Sequence, residues 1–419
     1  MHLVIFEGSN WWSFAPFSLS RPVFALSCGI GTLLDKQLRA AKCSRISLWV
    51  RPEMEAFCRR ELMPRMACPT TINAPLDDEP ALLMSGRSLH LGKFEMPESE
   101  SVVYDPGPRD HNVVRHALVR QPGLRREDVV NRTSRWDKVL ELPAMEHQQA
   151  RLPEYVWDLI KWNEEAIVAD AFAMEQPSEA LPKGSYHVIE EKNIWAGIGV
   201  KLEPGCVLDA SKGPIILADG CNIGANSVLQ GPCYIGPSSA VSPVSVIRSG
   251  SSIGPACKVG GEVSNSIIIS HTNKPHEGFL GDSYLGQWVN MGAGSNTSNL
   301  KNTYGTVQMS VNGKRVDTGR RFLGSLIGDH SKIAIGTRMM TGSYVGYSCV
   351  VGTPVYPPRF IPSFTFLTES GPQPYRMDKL AETMRNVFIR RGRQFTDEDE
   401  AMIRHVSDVA PTVEKVAGD

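Results

Sequence analysis

A chain of 419 residues is longer than one hydrophobic core ordinarily organises, so two or three domains are expected. Lys and Arg number 44 against 45 Asp and Glu, a balance that favours neither nucleic acid nor an anionic membrane surface as a partner. The opening "MHLVIFEGSNWW" lacks a basic flank, a long apolar core and a small-residue cleavage site, and no apolar run reaches the ~18 residues of a membrane span, so the expectation is a cytoplasmic soluble protein.

Residues 1–150 carry short apolar runs, "HLVIF" and "RISLWV", alternating with helical stretches such as "LLDKQLRAA" and "MEAFCRRELM", which predicts an α/β domain. After the first run, "SRPVFALSCGIGTLLDKQL" sets an arginine and a glycine-containing turn before Thr32, three residues ahead of Asp35, the spacing of a capped helix start. Backbone amides at such a start suit a phosphate, with Arg21 and Lys36 as counter-charges; a capped helix with ordinary surface charges fits the same residues. In 151–186, "LPEYVWDLIKWNEEAIVADAFA" spaces Tyr155, Leu159, Trp162 and Ile167 as a connecting helix expected to dock one domain on the other.

From 187 to 355 the chain is repetitive. Leu217, Ile223, Leu229, Ile235, Val241, Ile247, Ile253 and Val259 recur with a strict period of six, and the pattern returns at Leu285 and Met291, then at Ile327, Ile333, Met339, Val345 and Val351. A helix would throw residues six apart onto nearly opposite faces; a parallel β-helix, with one short strand and one turn per unit and three units per coil, stacks them into a continuous core. Nine cysteines contain no C-x-x-C pair, and Cys206, Cys221, Cys233, Cys257 and Cys349 each follow a unit-opening aliphatic residue by four, where a small packing residue is wanted. The register lapses over residues 271–286, "HTNKPHEGFLGDSYLG", which predicts an insertion carrying two histidines, a lysine and two carboxylates out of the coil. Beyond 352, the prolines of "TPVYPPRFIPSF" are expected to end the ladder. Residues 356–419 then form a helical tail, with Leu380, Met384, Val387 and Phe388 on one face and an acidic start at "TDEDEAM", expected to cap the last coil.

An α/β domain followed by such a coil resembles the bifunctional sugar-1-phosphate nucleotidyltransferase and glucosamine-1-phosphate N-acetyltransferase family over nearly the whole length. The likeness is closest to a diverged bacterial and archaeal branch, through "SRPVFALSCGIGT", "VGGEVSNSIIISHTNKPHEGFLGDSYLGQWVNMGAGSNTSNLKN" and "GDHSKIAIGTRMMTGSYVG". It implies a left-handed β-helix, a homotrimer with sites between subunits, and acetyl-CoA and an amino-sugar phosphate as substrates in nucleotide-sugar synthesis of the UDP-GlcNAc kind. In "HEGFLGD", His276 falls on the family's catalytic base and Phe279 stands where a tyrosine usually contacts the sugar phosphate. Asn290 and Asn299 fall on substrate-binding asparagines, Lys274 and Lys301 lie nearby to supply positive charge, and pantetheine would run near Ala293, Gly336 and Thr337. A neutral histidine can take the proton from an attacking amine, and backbone N–H groups in "MGAGSNT" can serve the tetrahedral intermediate, so no cysteine nucleophile is required.

For the N-terminal domain the resemblance implies that Arg21, Gly29, Gly31, Thr32 and Lys36 hold a nucleotide or phosphate, with a nucleoside triphosphate as a further substrate. The family's order is altered here, with Arg21 and Pro22 ahead of "GIGT", and the region matching its Mg2+-binding Gly-Asp motif, "LLMSGRSLHL", has no carboxylate; Asp105 is the nearest candidate. Nucleotidyl transfer with Mg2+, nucleotide-sugar binding and a scaffold role all stay open. Two rival readings concern the whole chain. His271 and His276 have the five-residue spacing of two zinc ligands in γ-class carbonic anhydrases, but the third histidine should lie about two coils upstream, where only the earlier His187 is available, so no bound metal is expected. A non-catalytic binding protein is the other rival. His330 reads as a turn residue, and Trp288 and Tyr284 as core or interface.

Overall fold

A computed structural model describes residues 1–416 except 77–78, 93, 106–112, 121–122, 146–149, 174–178 and 354–355. The chain divides into two compact units: Met1–Phe14, Ser20–Leu26 and Gly31–Glu154 form the first, and Ala15–Leu19, Ser27–Ile30 and Tyr155–Asp419 the second.

The first unit is built on a six-stranded sheet in the order Thr70–Ile72, Arg45–Trp49, His2–Phe6, Ala81–Ser85, Val113–Val119, Ser101–Asp105. The first four strands run parallel, Val113–Val119 pairs antiparallel to Ala81–Ser85, and Ser101–Asp105 pairs antiparallel to Val113–Val119. His2–Phe6 and Ala81–Ser85 are buried throughout, which is why "HLVIF" shows no polar alternation. Thr32 caps the helix Leu33–Ala40: its hydroxyl accepts from the Asp35 amide, and the Asp35 carboxylate accepts from the Thr32 amide. The second helical stretch is broken into Glu55–Phe57, a wider turn at Cys58–Leu62 and a tight turn at Met63–Arg65, where Pro64 supplies no N–H.

The second unit is the coil. Among the described residues its first face has nine strands, from Ile194–Ala196 to Phe360–Ile361, and its second has ten, from Lys201–Leu202 to Gly371–Pro374. A third face of six strands, from Phe279–Gly281 back to His187–Ile189, is followed along the chain by the pair Asn296–Thr297 and Arg338–Met339. Leu217, Ile235 and Ile253 stack in register on the first face, as do Ile223, Val241 and Val259 on the second and Leu229, Ile247 and Val263 on the third. All belong to one buried core. At each first corner, between the first and second faces, the chain turns through a left-handed residue: Ser238, Ala256, His271, Trp288, His330, Ser348 and Phe364 have φ between 53 and 63°. The five repeat cysteines are fully buried; burial pushes the thiols of Cys221, Cys233, Cys257 and Cys349 up to about 12. They pack, as the spacing predicts.

Residues 271–286 do not leave the coil. Asn273–Lys274, Phe279–Gly281 and Tyr284–Leu285 pair with Lys258–Val259, Glu262–Ser264 and Ile267–Ile268. The inward series runs Val259, Val263, Ile268, Lys274, Leu280, Leu285, Met291, so two steps shrink to five residues and one to four. Shortened corners such as Gly260–Gly261 shift the frame, and a shifted frame looks like a break. Inserted chain does occur, later, at 299–324, around the hairpin Gln308–Val311 and Lys314–Asp317.

Nor does the ladder stop at the prolines. Phe360–Ile361 pairs with Tyr344–Val345, and Phe366–Leu367 with Val350–Val351. The bonds run from the Tyr344 and Gly346 amides to the Arg359 and Ile361 carbonyls, so Pro357, Pro358 and Pro362 are never asked to donate. The helix Val156–Ala173 packs on the coil's first face through Ile167 and Ala171, which meet Ile216. In the tail, Met377–Ile389 lays Phe388 on Trp288 at the first corner, and Asp397–Val413 ends beside Glu414, whose carboxylate binds Tyr344 and Ser363 near the last coil. No helix among the described residues is long and apolar enough to cross a membrane.

Candidate active site

The second corner of the coil, between its second and third faces, gathers the residues with the most chemistry. There the strand Asn273–Lys274 leads into the turn 275–278 and then into Phe279–Gly281. His276 and Glu277 sit at the tip, exposed. Gly278 turns at φ 119°, and a Cβ on it would lie 2.1 Å from the Ser295 carbonyl oxygen of the next coil, so the tight return of the chain demands glycine. Stacked below are the turns Ala293–Gly294 and Ile335–Gly336, joined by the Gly336 amide donating to the Ala293 carbonyl at 2.7 Å. Glu277 Oε1 approaches to 3.6 Å of where a Gly294 Cβ would be. Ile335 is 72% exposed, an apolar side chain standing beside Gly294 and Gly336.

On the third face, the Phe279 amide donates to Asn296 Oδ1 at 2.9 Å, and its ring folds over Gly281. A Cβ on Gly281 would be 2.4 Å from Phe279 Cζ and 2.9 Å from Asn299 Nδ2, so ring and amide share one spot. Asn299 in turn donates to Asp282 at 2.7 Å, and Asp282 also accepts from Asn265 at 2.7 Å and faces Arg320 at 3.6 Å. Asp282 and Arg320, to which no sequence reading gave a role, tie the coil to the inserted segment; the "LGD" triplet was the available signal.

The structure thus brings together His276, Ala293 and Gly336 at one corner, with Phe279 and Asn299 beside each other on the adjoining face. Others lie elsewhere. Asn290 is exposed on the second face, ahead of the corner. Thr337 is fully buried, its hydroxyl donating to the Ala334 carbonyl at 2.8 Å, so its side chain closes a turn and cannot touch a cofactor. Lys301 donates to the Thr306 carbonyl within the inserted segment. Lys274 requires correction as a phosphate contact: it occupies the inward register position of Val259, is 2% exposed, and donates to the carbonyls of Gly260, His276 and Gly278.

The two histidines of the zinc reading stand at different corners. His271 stacks on Trp288 at the first corner, with ring centroids 4.3 Å apart, whereas His276 faces outward at the second. His330 continues the same column, as a turn residue, and among the described residues no three His, Cys, Asp or Glu side chains cluster as metal ligands. Tyr284 is fully buried, with its hydroxyl bonded to the Ser27 backbone and its ring 4.5 Å from Phe17.

The N-terminal candidates separate as well. Arg21, Gly31, Thr32 and Lys36 belong to the first unit, where Arg21 and Lys36 are buried rather than surface counter-charges. Gly29 belongs to the second, and its amide donates to Asn163 Oδ1 at 2.6 Å while the Ile30 amide donates to Asp170 at 2.7 Å. Those amides are already engaged. At the end of the strand His2–Phe6, both carboxylate oxygens of Glu7 are taken, by Arg51 at 2.9 Å and the Val23 amide at 3.1 Å. The Asp105 side chain lies outside the described residues.

Comparison with known proteins sets this geometry in context. Residues 3–179 match the family described as sugar nucleotidyl transferase. A bifunctional sugar-1-phosphate nucleotidylyltransferase/acetyltransferase of Sulfurisphaera tokodaii is 34% identical over 111 residues, covering 26% of this chain and 27% of that protein. The bifunctional protein GlmU of Methanocaldococcus jannaschii is 34% identical over 145 residues (35% and 33%), and that of Synechococcus elongatus 30% over 146 (31% and 31%). The matched stretch spans about a third of the length of these relatives. The chain is thus similar to these bifunctional proteins over part of its length. Among solved structures, an Arabidopsis UDP-N-acetylglucosamine acyltransferase is 14% identical, covering 54% of this chain and 94% of that one with a TM-score of 0.22; the β-helix here rests on the strand registers alone.

Proposed function

We propose that the chain is a sugar-phosphate-modifying transferase whose coil transfers acetyl from acetyl-CoA to the amino group of an amino-sugar 1-phosphate. The observation that carries this is the exposed His276 on a tight turn above two glycine-containing turns and the exposed Ile335 side chain. The Sulfurisphaera tokodaii relative, a bifunctional sugar-1-phosphate nucleotidylyltransferase/acetyltransferase, supports the substrate class.

The chemistry follows from the residues. A neutral His276 imidazole takes a proton from the sugar amine as its nitrogen attacks the thioester carbon. In the turn below, the amides of Gly292, Ser295 and Asn296 are spent on the ladder and the turn itself, which leaves those of Ala293 and Gly294 as donors for the oxyanion. Collapse expels the CoA thiolate, which recovers the proton from His276. Ile335 and the glycine turns offer pantetheine an apolar edge and close backbone approach. Phe279 with Asn299 would border the sugar, and assembly as a homotrimer would complete the site.

The first unit is proposed to bind a nucleoside triphosphate or nucleotide sugar near Arg21, Gly31, Thr32 and Lys36. Its described donor set does not fit Mg2+, since Glu7 is saturated and Asp35 is committed to its cap, so no metal-assisted step is derived. The test is thiol release from acetyl-CoA with glucosamine 1-phosphate. His276→Ala is expected to lower kcat by about 100-fold or more with the coil intact, and undiminished turnover in that variant would refute the base assignment.

A further inference from the structure

Lysine in the core of a stacked coil is an anomaly that the acetyl-transfer chemistry does not by itself explain. Every other inward position of the second face from Ile223 to Val351 is Val, Ile or Met, and Lys274 stands between Val259 and Met291. Burial of an ammonium is costly unless all its hydrogens find acceptors. Here they do. Its Nζ lies 2.8 Å from the Gly260 carbonyl, 2.7 Å from that of Gly278 and 3.1 Å from that of His276.

These three acceptors share one place. Gly260 opens the contracted corner above, while His276 and Gly278 belong to the turn that carries the candidate base. Between the two coils the ladder is weak at this point, the Glu262 amide reaching the Gly278 carbonyl only at 3.3 Å, because a two-residue corner lies against a longer turn. The short corner cannot supply enough amides to hold the long one. The ammonium supplies the missing donors from inside.

We infer that Lys274 is a positioning residue, an internal clamp whose three hydrogen bonds fix the 275–278 turn and so aim His276 at its substrate. The inference rests on the acetyl-transfer reading for its kinetic consequence, but not for the clamp. An apolar residue of similar length would suit the surrounding core and still leave the Gly260 and His276 carbonyls unserved, with only the long Glu262 bond on that of Gly278. Lys274→Met therefore separates the two roles: if the side chain only fills the core, the variant should be as stable and as active as the parent.

The expected result for the full chain is a folded K274M protein with hydrogen exchange accelerated in the peptide spanning 275–281 and unchanged on the first face. With acetyl-CoA and glucosamine 1-phosphate, kcat should fall by about 30-fold, the scale set by a small misplacement of a reacting group, while KM for acetyl-CoA stays within about twofold. Lys274→Gln, which keeps two N–H donors, should fall between Met and Lys in both measurements, and it carries the test if the Met variant does not fold. Unchanged exchange and unchanged kcat in a folded variant would overturn the clamp. If the parent protein itself shows no acetyl transfer, the functional reading fails, and the exchange measurement alone then decides the clamp.

Discussion

Asp282 turns at φ 46° at the third corner of the coil, and its carboxylate gathers the Asn265 and Asn299 amides and the Arg320 guanidinium. Its carbonyl also accepts from Gly324, while the Asn299 carbonyl accepts from Leu323, so both ends of the inserted 299–324 segment are tied to it. Arg320 is mostly buried, which lowers its pKa, and it spends further donors on the Phe322 and Trp157 carbonyls. Removing that cation leaves a buried carboxylate without its only charge partner among the described contacts. Arg320→Met is expected to cost about 2 kcal/mol, read as a lower urea midpoint, with faster proteolysis inside 299–324. Asp282→Asn should do similar damage by a different route, since Asn265 and Asn299 donate to different carboxylate oxygens and the new –NH2 would meet one of those donors; wild-type protease resistance in both would remove the anchor role. At this scale the sequence was only partly readable. His276 and Asn299 could be placed from a motif, but Lys274 looked like a surface cation because its inward direction depends on a register that three shortened steps conceal.

Among the elements, the hexapeptide strands were legible because each repeats one physical demand, an aliphatic corner over another aliphatic corner. The turns were not. A left-handed turn residue can be Ser, Ala, His or Trp with equal backbone geometry, so nothing in the spacing revealed that His271, Trp288 and His330 would form a column. That column explains how the first tail helix is held: Phe388 stacks on Trp288 at 4.6 Å, Arg393 lies 6.0 Å over the same ring, and Arg391 donates to Asn273 at 2.7 Å. Trp288→Ala removes the plate on which Phe388 rests. The expected loss is about 3–4 kcal/mol of docking and folding energy, and the helix Met377–Ile389 should become the first site of cleavage in limited proteolysis. Cleavage that still begins elsewhere would mean that the helix is held by its arginines alone.

Over the whole coil, burial moves two kinds of titrating group in opposite directions, and their sum sets how stability responds to alkali. The thiols of Cys221, Cys233, Cys257 and Cys349 are pushed up to about 12 by desolvation, from an ordinary value of 9.0. Lys274 and Lys332 are pushed down to about 8, also by desolvation, from 10.5. For a raised thiol, stability is full below pH 9 and is lost as pH climbs toward 12, because the unfolded chain gives up protons that the folded chain keeps. For a lowered lysine the unfolded chain holds the extra proton, so stability rises between pH 8 and about 10.5. Each fully mismatched group contributes about 1.4 kcal/mol per pH unit. Between pH 8 and 9 the two lysines outweigh the thiols, which are only beginning to ionise in the unfolded chain, and the urea midpoint of the coil should increase slightly. Between pH 9 and 10 the four thiols, half ionised at pH 9 in the unfolded chain and nearly fully at pH 10, outweigh the two lysines by roughly 1–2 kcal/mol, so the midpoint should fall. Replacing Cys233 and Cys257 by Ala leaves two thiols against two lysines, and the falling limb should flatten even though the starting stability is lower. A midpoint that stays level from pH 9 to 10 in the unaltered protein would mean that water reaches these thiols, and with it that the coil is less tightly closed than its stacked corners imply.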